Sequence, residues 1–169
     1  QKELQKAEQE QQEAPNAPGV EERLRLAQLH LQQSHYYAMA REFASMVSRC
    51  AQRDDTCDFV IMTGGGGGIM EAGNRGANDV GAKSIGLNIS LPFEQAPNAY
   101  ISEGLCFQFH YFSIRKMHFL LRARALCAFP GGFGTMDEVF ETLTLIQTGK
   151  IEPIPVVLFG AEFWRDIIN

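Results

Sequence analysis

The chain has 169 residues, of which 45% are hydrophobic and 10% aromatic, and it carries a formal net charge of −5. This length suffices for one domain with a sizeable core, and the composition argues against a disordered or fibrous chain. The negative charge and the lack of a Lys/Arg cluster argue against a nucleic-acid partner, because binding a phosphate backbone needs a basic face.

Membrane, export and metal signals are missing from the sequence. No apolar run approaches the roughly 18 residues that a membrane span needs, and no signal peptide opens the sequence. We therefore expect a cytoplasmic protein without a membrane partner. The four cysteines form no C-x-x-C pair and the four histidines have no partner at metal-ligand spacing, so the sequence predicts no metal site. Cys106 and Cys127 are predicted to be small core residues.

The first 19 residues are predicted to form a polar segment and linker. Residues 1–13 are almost all Gln, Glu and Lys, which is typical of a polar helix or a disordered segment, and a Pro/Gly breaker cluster follows. From Val20 onward, apolar residues repeat at spacings of three and four. This predicts one long amphipathic helix, or two helices joined near Ser34, at the start of a single domain over residues 20–169.

A first strand, glycine turn and helix are predicted within residues 58–77. A buried strand over residues 58–63 precedes five consecutive glycines, and helical spacing follows them. The dinucleotide fingerprint G-x-G-x-x-G fails in every frame, because the sixth position is Ile69, Met70 or Glu71, and no Lys-Ser/Thr follows as in a Walker A loop. The turn therefore argues against a nicotinamide dinucleotide and against P-loop NTPase chemistry.

The middle of the chain continues the alternation of strands and helices. Residues 84–89 form the next predicted strand, and two prolines fix a loop at residues 91–98. Residues 101–109 are compatible with another strand, and residues 110–124 have helical spacing. The predicted core residues of that helix are Phe112, Met117, Leu120 and Leu121.

A second glycine turn lies in residues 129–138, Phe-Pro-Gly-Gly-Phe-Gly-Thr-Met-Asp-Glu. An apolar run of strand character precedes it, and helical spacing continues from Val139. Glycines let the backbone approach a ligand, and the first N–H groups of a helix lack partners, so the turn predicts binding of an anion, above all phosphate. Thr135-x-x-Glu138 also fits a capping box, which is the alternative without a ligand.

The C-terminal elements complete the fold prediction. Thr148-Gly149-Lys150 is a predicted helix stop, residues 154–160 a last strand, and Phe163 begins a helix. Strands that alternate with helices predict an α/β fold, a Rossmann-like doubly wound parallel sheet with helices on both faces. Ligands of such sheets bind at the carboxyl ends of the strands, where both glycine turns lie. We therefore expect a single site for an anionic ligand.

Three stretches carry a family resemblance: the glycine-rich run at residues 63–72, the pair Arg115-Lys116, and residues 130–138, which fit P-G-G-x-G-T-x-x-E. Together they resemble the "Lonely guy" phosphoribohydrolases that activate cytokinins and their bacterial relatives, often mislabelled lysine decarboxylases. The resemblance runs from about residue 36 to 163. Leu91-Pro92-Phe93-Glu94 makes the chain more similar to the larger bacterial group than to the short plant enzymes.

The resemblance implies a specific reaction. This is hydrolysis of the N-glycosidic bond of a nucleoside 5′-monophosphate, of the AMP or cytokinin riboside type, to free base and ribose 5-phosphate. It implies no cofactor, and it implies a homodimer with the site at the interface. Catalysis falls to Glu138 and Arg115. The implied substrate-binding residues are Gly131, Gly132, Phe133, Gly134 and Thr135 in the second turn, Gly65, Gly66 and Gly67 in the first, and Lys116, Glu94 and Thr144.

These residue types suit the chemistry. Cleavage of an N-riboside passes through an oxocarbenium-like state, so a carboxylate near the ribose stabilises positive charge and can position or deprotonate water. Glu138 follows the phosphate turn by about one helical turn. Arg115 carries a permanently charged guanidinium and is suited to electrostatic and hydrogen-bonding roles rather than proton donation, unless it is a solvated helix arginine. Asp137 is expected to point away from the phosphate.

Two other functions are compatible with parts of the sequence. A non-catalytic carrier of the same fold would hold a nucleotide or a molybdopterin-type ligand, and it needs the glycine turns but not the Glu138–Arg115 pair. A pyridoxal-phosphate decarboxylase lacks support, because neither Lys83 nor Lys116 has the setting of a Schiff-base lysine. Members of the resembled family open with a strand carrying a Gly-Ser turn. Nothing before Tyr36 supplies it, so we expect a fragment that lacks the first strand.

Overall fold

The computed structural model describes residues 2–14, 17, 19–53, 56–91 and 96–168. The chain divides into two compact units, Gln1–Met39 and Ala40–Asn169. The polar N-terminal stretch is helical, with α1 at Lys2–Glu13, and α2 is one continuous helix over Val20–Ala51 rather than two helices joined near Ser34. In the first unit, Nε of Arg23 in α2 lies 2.9 Å from a carboxylate oxygen of Glu10 in α1.

The strands of the second unit are parallel and form two sheets. In the described part of the chain, the first sheet has three strands in the order β1-β2-β3 and the second sheet pairs β4 with β5. The five strands are β1 (Ile61–Thr63), β2 (Ser84–Ile89), β3 (Cys106–Phe109), β4 (Leu126–Ala128) and β5 (Val156–Leu158).

Helices alternate with these strands along the chain. They are α3 (Ile69–Asn78), α4 (Phe112–Leu121), α5 (Phe133–Gln147) and α6 (Ala161–Arg165). The alternation and the parallel pairing confirm the predicted Rossmann-like α/β fold. The helix stop is also confirmed, since α5 ends before Thr148 and Gly149 has φ +66°.

The core beside the second sheet fixes the start of α5 relative to β4. Ala128, Val139 and Trp164 are buried together. The ring of Phe129, directly after β4, stacks on Phe159 at 4.2 Å between centroids. The indole N–H of Trp164 donates to the Phe159 carbonyl at 2.8 Å, so the one polar atom of this buried ring is satisfied.

Gly76 allows a close contact between α3 and the part of α2 that lies in the second unit. A Cβ at Gly76 would overlap the carbonyl oxygen of Arg41 and would lie 2.9 Å from Cβ of Ala44. The guanidinium of Arg41 also pairs with Asp79 at the end of α3. Any side chain at residue 76 would therefore force the two helices apart.

Three strand predictions were too long. The last predicted strand, at residues 154–160, is a strand only over Val156–Leu158. The predicted buried strand at residues 58–63 is a strand only from Ile61, and Phe59 is half-exposed, because β1 is an edge strand that pairs with β2 alone in the described sheet. The predicted strand at residues 101–109 is reduced to Cys106–Phe109, and turns precede it. Cys106 is exposed, so its predicted place in the core is wrong.

The predicted core face of α4 is also wrong. Phe112, Met117 and Leu121 are each more than half exposed, and among the described residues of α4 only Arg115 is buried. Spacing alone reveals that apolar residues share a stripe, but it does not reveal which stripe faces the protein. The helix therefore buries an arginine and exposes much of its apolar surface.

Candidate active site

The centre of the site is an ion pair between α4 and α5. Nη2 of Arg115 donates to Oε1 of Glu138 at 3.0 Å, although the two residues are 23 positions apart in the sequence. Arg115 lies in the first turns of α4, shortly after β3, and Glu138 lies in the second turn of α5, after β4. Each residue is thus positioned by a strand of a different sheet. Arg115 is only 9% exposed, which makes the solvated-arginine alternative wrong.

The rest of the Arg115 guanidinium is held by aromatic rings. Its Cζ lies 5.5 Å from the ring centroid of Phe112 and 5.3 Å from that of Phe119, distances typical of cation–π contacts. Its buried Nε–H has no acceptor among the described residues. Nη1 lies beside Gly64, where an added Cβ would be 3.1 Å away. The guanidinium therefore reaches from the first glycine turn to Glu138.

The environment of Glu138 favours its protonated form. Burial raises the pKa of Glu138, and the nearby carboxylates of Asp137 and Glu141 raise it further, while the positive charges of Arg115 and Lys116 oppose the shift. A carboxyl group with a raised pKa is a better proton acceptor once it is ionised. The site thus contains a carboxylate that can take up and release a proton nearer to neutral pH.

Lys116 is paired with two carboxylates on α5. Its Nζ lies 3.1 Å from Oδ1 of Asp137 and 3.0 Å from Oε2 of Glu141, and these two partners raise its pKa. The Asp137 carboxylate is therefore directed at the Lys116 cation. Its predicted orientation away from a phosphate stays a prediction. A lysine with a raised pKa stays protonated, whereas a Schiff-base lysine needs a neutral amine to attack a carbonyl. This geometry disfavours the decarboxylase alternative for Lys116.

The second glycine turn leaves backbone donors available. Helix α5 begins at Phe133, and its N-cap residue, Gly132, has no side-chain cap. Because the helix starts two residues before Thr135, the predicted capping box between Thr135 and Glu138 is wrong. In the described residues, the N–H groups of Gly132, Phe133 and Gly134 have no acceptor, while Thr135 N–H bonds to Gly132 O at 3.1 Å. The Phe133 side chain is 95% exposed.

The first glycine turn leads into α3, which begins at Ile69 after an N-cap glycine without a side-chain cap. Gly64 and Gly65 lie against other residues, whereas a Cβ at Gly67 or Gly68 would meet no atom within 4 Å. The open side of the turn is therefore formed by its second half, next to unpaired N–H groups of the helix start.

The structure leaves two of the remaining predicted site residues without support. Glu94 lies outside the described residues. The hydroxyl of Thr144 donates to the Phe140 carbonyl in its own helix at 2.7 Å, and no described contact joins it to Arg115 or Glu138.

The sequence matches a known protein family over much of its length. Residues 70–169 match the family described as "possible lysine decarboxylase". The chain belongs to this family. The match spans more than half of the chain and includes Arg115, Lys116 and the second glycine turn. It confirms, at the level of the family, the resemblance to Lonely guy-type proteins that carry this label.

Structural comparison supports the fold of this family member. The X-ray structure of TM1055, a structural genomics target, matches with a TM-score of 0.55 and 17% sequence identity, over 80% of this chain and 88% of that one. At this identity the likeness shows the α/β fold alone. The search of curated proteins gave no match.

The structure brings two residues to the first glycine turn that were not predicted from the sequence. Asn74 is completely buried in α3 and Asn98 is half-buried in the loop before β3, and their side chains are hydrogen-bonded to each other at 3.0 Å. An asparagine within the apolar spacing of α3 was the available signal, because a buried polar side chain requires partners. No local pattern pointed to Asn98.

The described residues contain no group of three or more His, Cys, Asp or Glu side chains arranged to hold a metal ion. No helix in this part of the chain has the length and apolar character needed to cross a membrane.

Proposed function

We propose that this protein is an N-glycosyl hydrolase that acts on a nucleoside 5′-monophosphate, of the AMP or cytokinin riboside type, and needs no cofactor. The products are the free base and ribose 5-phosphate. The observation that carries the proposal is the 3.0 Å contact between Arg115 and Glu138 beside two glycine turns. A protein that only binds a phosphorylated ligand has no need of a half-buried carboxylate with a raised pKa at that position.

The phosphate is assigned to the second glycine turn. The available N–H groups of Gly132, Phe133 and Gly134 lie at the N-terminus of α5, where the helix dipole favours negative charge. The hydroxyl of Thr135 in the first turn of the helix can donate one more hydrogen bond. Gly131 allows that hydroxyl to lie close to the backbone.

Glu138 is assigned to the ribose and the attacking water. In the reaction, the oxygen of water forms a bond to C1′ while the bond from C1′ to the base nitrogen breaks. The bonding electrons leave with the base, which takes up a proton from solvent. The attacking water gives one proton to the Glu138 carboxylate, which returns it to solvent before the next turnover. The negative charge of Glu138 also stabilises the positive charge that develops on the sugar.

Arg115 is assigned to charge stabilisation. It remains protonated at any pH used by the protein, so it acts as a fixed positive charge and donor rather than as an acid. With one N–H on Glu138, its Nη1 group beside Gly64 remains available to an oxygen of the substrate. Lys116 is already engaged by Asp137 and Glu141, so we propose that it supports the site mainly through electrostatic attraction.

The proposal is tested by incubating the protein with AMP and measuring free adenine and ribose 5-phosphate. Glu138→Gln should lower kcat by about a hundredfold or more, since general-base contributions have this size, and AMP should still bind. Glu162→Gln is the matched control, because it neutralises an exposed carboxylate on α6 and should retain the activity. Binding of AMP without release of adenine at any pH would instead favour a carrier.

We further propose that the active form is a cytoplasmic homodimer. Its support is the apolar surface of α4 and α5, where Phe112, Met117, Leu121 and Phe140 are all strongly exposed. A groove of about 280 Å³ lies between Leu120 and Leu121 on α4 and Leu145 on α5. Contiguous apolar surface of this kind typically marks a protein–protein contact, and here we assign it to a second copy of the chain.

A further inference from the structure

We propose that Asn98, anchored by Asn74, is a positioning residue of the site: it orients the first glycine turn so that the N–H groups of Gly66 and Gly67 face the substrate. This inference rests on the proposed function, since it concerns the same nucleotide site. It adds a role for a loop residue that contacts neither Arg115 nor Glu138.

Asn98 binds the glycine turn through its backbone and its side chain. Its backbone N–H donates to the carbonyl of Gly65 at 2.8 Å. Its side-chain Nδ2 lies 3.1 Å from the carbonyl oxygen of Gly65 and 3.0 Å from that of Gly66. Two successive carbonyl groups of the turn are therefore directed at one asparagine.

Asn74 holds Asn98 and ties the turn to the sheet. Its Oδ1 accepts hydrogen bonds from Nδ2 of Asn98 at 3.0 Å and from the hydroxyl of Thr63 at 2.6 Å. Its Nδ2 donates to Ser84 Oγ at 3.0 Å and lies 3.3 Å from the carbonyl of Ile85, both in β2. All its hydrogen-bonding groups are satisfied, as expected for a fully buried amide.

The hydroxyl of Thr63 closes the network. It accepts a hydrogen bond from the N–H of Gly65 at 3.1 Å while it donates to Asn74. The peptide groups on both sides of Gly65 are thereby fixed, and Gly65 itself has φ +76°, a conformation that glycine adopts without strain. The turn has little freedom to rotate its peptide planes.

The orientation of these peptides determines where the N–H groups point. In a trans peptide, the C=O and the following N–H lie on opposite sides. Because the carbonyl groups of Gly65 and Gly66 face Asn98, the N–H groups of Gly66 and Gly67 face away from it. Neither N–H has an acceptor in the described part of the chain. Two parallel donors at the start of α3 thus suit an oxygen atom of the nucleotide.

A second observation is that the Arg115 guanidinium, a hydrogen-bond donor that is not fully satisfied, lies at the same turn. Arg115 is 9% exposed, its Nε–H has no acceptor among the described residues, and its Nη1 lies beside Gly64. An oxygen of the bound nucleotide at this turn, other than the phosphate oxygens assigned to the second turn, would give an acceptor to the backbone donors and to the arginine.

An asparagine is required at position 98 by this network. Asp has no N–H and would direct a negative charge at the carbonyl oxygens of Gly65 and Gly66, which favours rotation of their peptide planes. Asn98→Asp is therefore the informative variant. Asn98→Ala is the second variant; it removes the donors and also Oδ1, which accepts the Tyr100 N–H at 3.1 Å. Asn78→Asp at the exposed end of α3 is the matched control, since it makes the same change of charge.

The test measures amide ¹⁵N–¹H NMR shifts and steady-state kinetics during AMP titration. In the unaltered protein, the amides of Gly66 and Gly67 should shift together with those of Gly132 and Gly134. In Asn98→Asp, the Gly66 and Gly67 shifts should be lost while the Gly132 and Gly134 shifts remain. We also expect KM for AMP to rise by ~10-fold with a smaller change in kcat. The Asn78→Asp control should behave like the unaltered protein.

The possible failures are distinguishable. If no glycine amide of either turn responds to AMP in the unaltered protein, the proposed function itself fails. If only the second turn responds, or if Gly66 and Gly67 still respond in both Asn98 variants, this inference fails while the proposed function stands. An Asn98 variant that loses stability without changing the amide response would also overturn it, because the residue would then be merely structural.

Discussion

The Oγ1 atom of Thr135 lies so close to the Cα of Gly131 that a Cβ at residue 131 would overlap it. The proposed phosphate donor is therefore kept in its position by the absence of a side chain four residues earlier. A glycine at that position is a steric requirement of the threonine as well as a source of backbone freedom.

Gly131→Ala should displace the Thr135 hydroxyl and raise KM for AMP by about tenfold, which corresponds to the loss of one charge-assisted hydrogen bond. A double-mutant cycle checks the cause. In a Thr135→Ala background the same Gly131→Ala change should have little further effect on KM, because the overlapping atom is gone. Equal effects of Gly131→Ala in both backgrounds would show that the glycine acts independently of Thr135.

The pH dependence of activity should reflect the raised pKa of Glu138. Its carboxylate is needed as base, so kcat/KM should fall as the pH drops through a pKa above the usual value for glutamate. Burial is the main cause, and Asp137 and Lys116 act in opposite directions. Asp137→Asn should therefore move the acidic limb to lower pH and Lys116→Met should move it to higher pH. Shifts in the same direction would contradict the electrostatic explanation.

The stability of the folded protein should also depend on the protonation of Glu138, but its change with pH should be opposite to that of the activity. The folded protein binds the Glu138 proton more tightly than the unfolded chain does, so this residue contributes most to stability below the unfolded pKa. That contribution is lost as the pH rises through the raised folded pKa. Denaturant unfolding at a series of pH values measures it. In Glu138→Gln this component should disappear, and a pH dependence identical to that of the unaltered protein would argue against it.

The rings around Arg115 should act on catalysis through its orientation. Phe119→Leu keeps an apolar side chain but removes a cation–π contact, which typically contributes about 0.5–2 kcal/mol, and should lower kcat several-fold. Phe119→Tyr keeps a ring face and should restore kcat. Failure of the tyrosine variant to recover activity would indicate that packing, rather than the ring face, is what matters. Phe163→Leu is the matched control, because Phe163 is an aromatic residue that packs against the core beside the second sheet and does not contact Arg115 in the described structure.

The proposed dimer can be tested on the α4 surface. Leu121 is 65% exposed, so Leu121→Glu should leave the fold intact but place a charge in the subunit contact and produce monomers. Sedimentation equilibrium gives the mass directly. Ile168→Glu, another exposed apolar position outside α4 and α5, should leave the mass unchanged. A monomeric mass for the unaltered protein at micromolar concentration would remove the proposal.

Local signals in the sequence were sufficient for the glycine turns and the order of elements. Glycine runs between apolar strands and helical spacing are features of neighbouring residues, so both turns and the stop at Gly149 could be predicted. The burial of Arg115 and the exposure of Leu121 could not, because the orientation of α4 depends on what packs against it. Strand lengths failed for a related reason: pairing partners decide where a strand begins, and β1 has a partner only from Ile61.

The network around Asn98 could not be predicted because its members are far apart in sequence. Asn98 joins a turn more than 30 residues earlier, and its partner Asn74 reaches β2. Each residue looks ordinary in its own segment. Only the packing of α3 on the first sheet reveals that they act together.

The division of the strands into two sheets has a consequence for substrate entry. In the described region no backbone ladder connects β1–β3 with β4–β5, whereas Arg115 and Lys116 reach across to Glu138, Asp137 and Glu141. Salt screens such attractions where they are exposed, as at Asp137, and much less where they are partly buried, as between Arg115 and Glu138. Concentrated salt should therefore loosen the Lys116 contacts first, while the Arg115–Glu138 pair continues to set the distance between α4 and α5 at the site that the substrate enters.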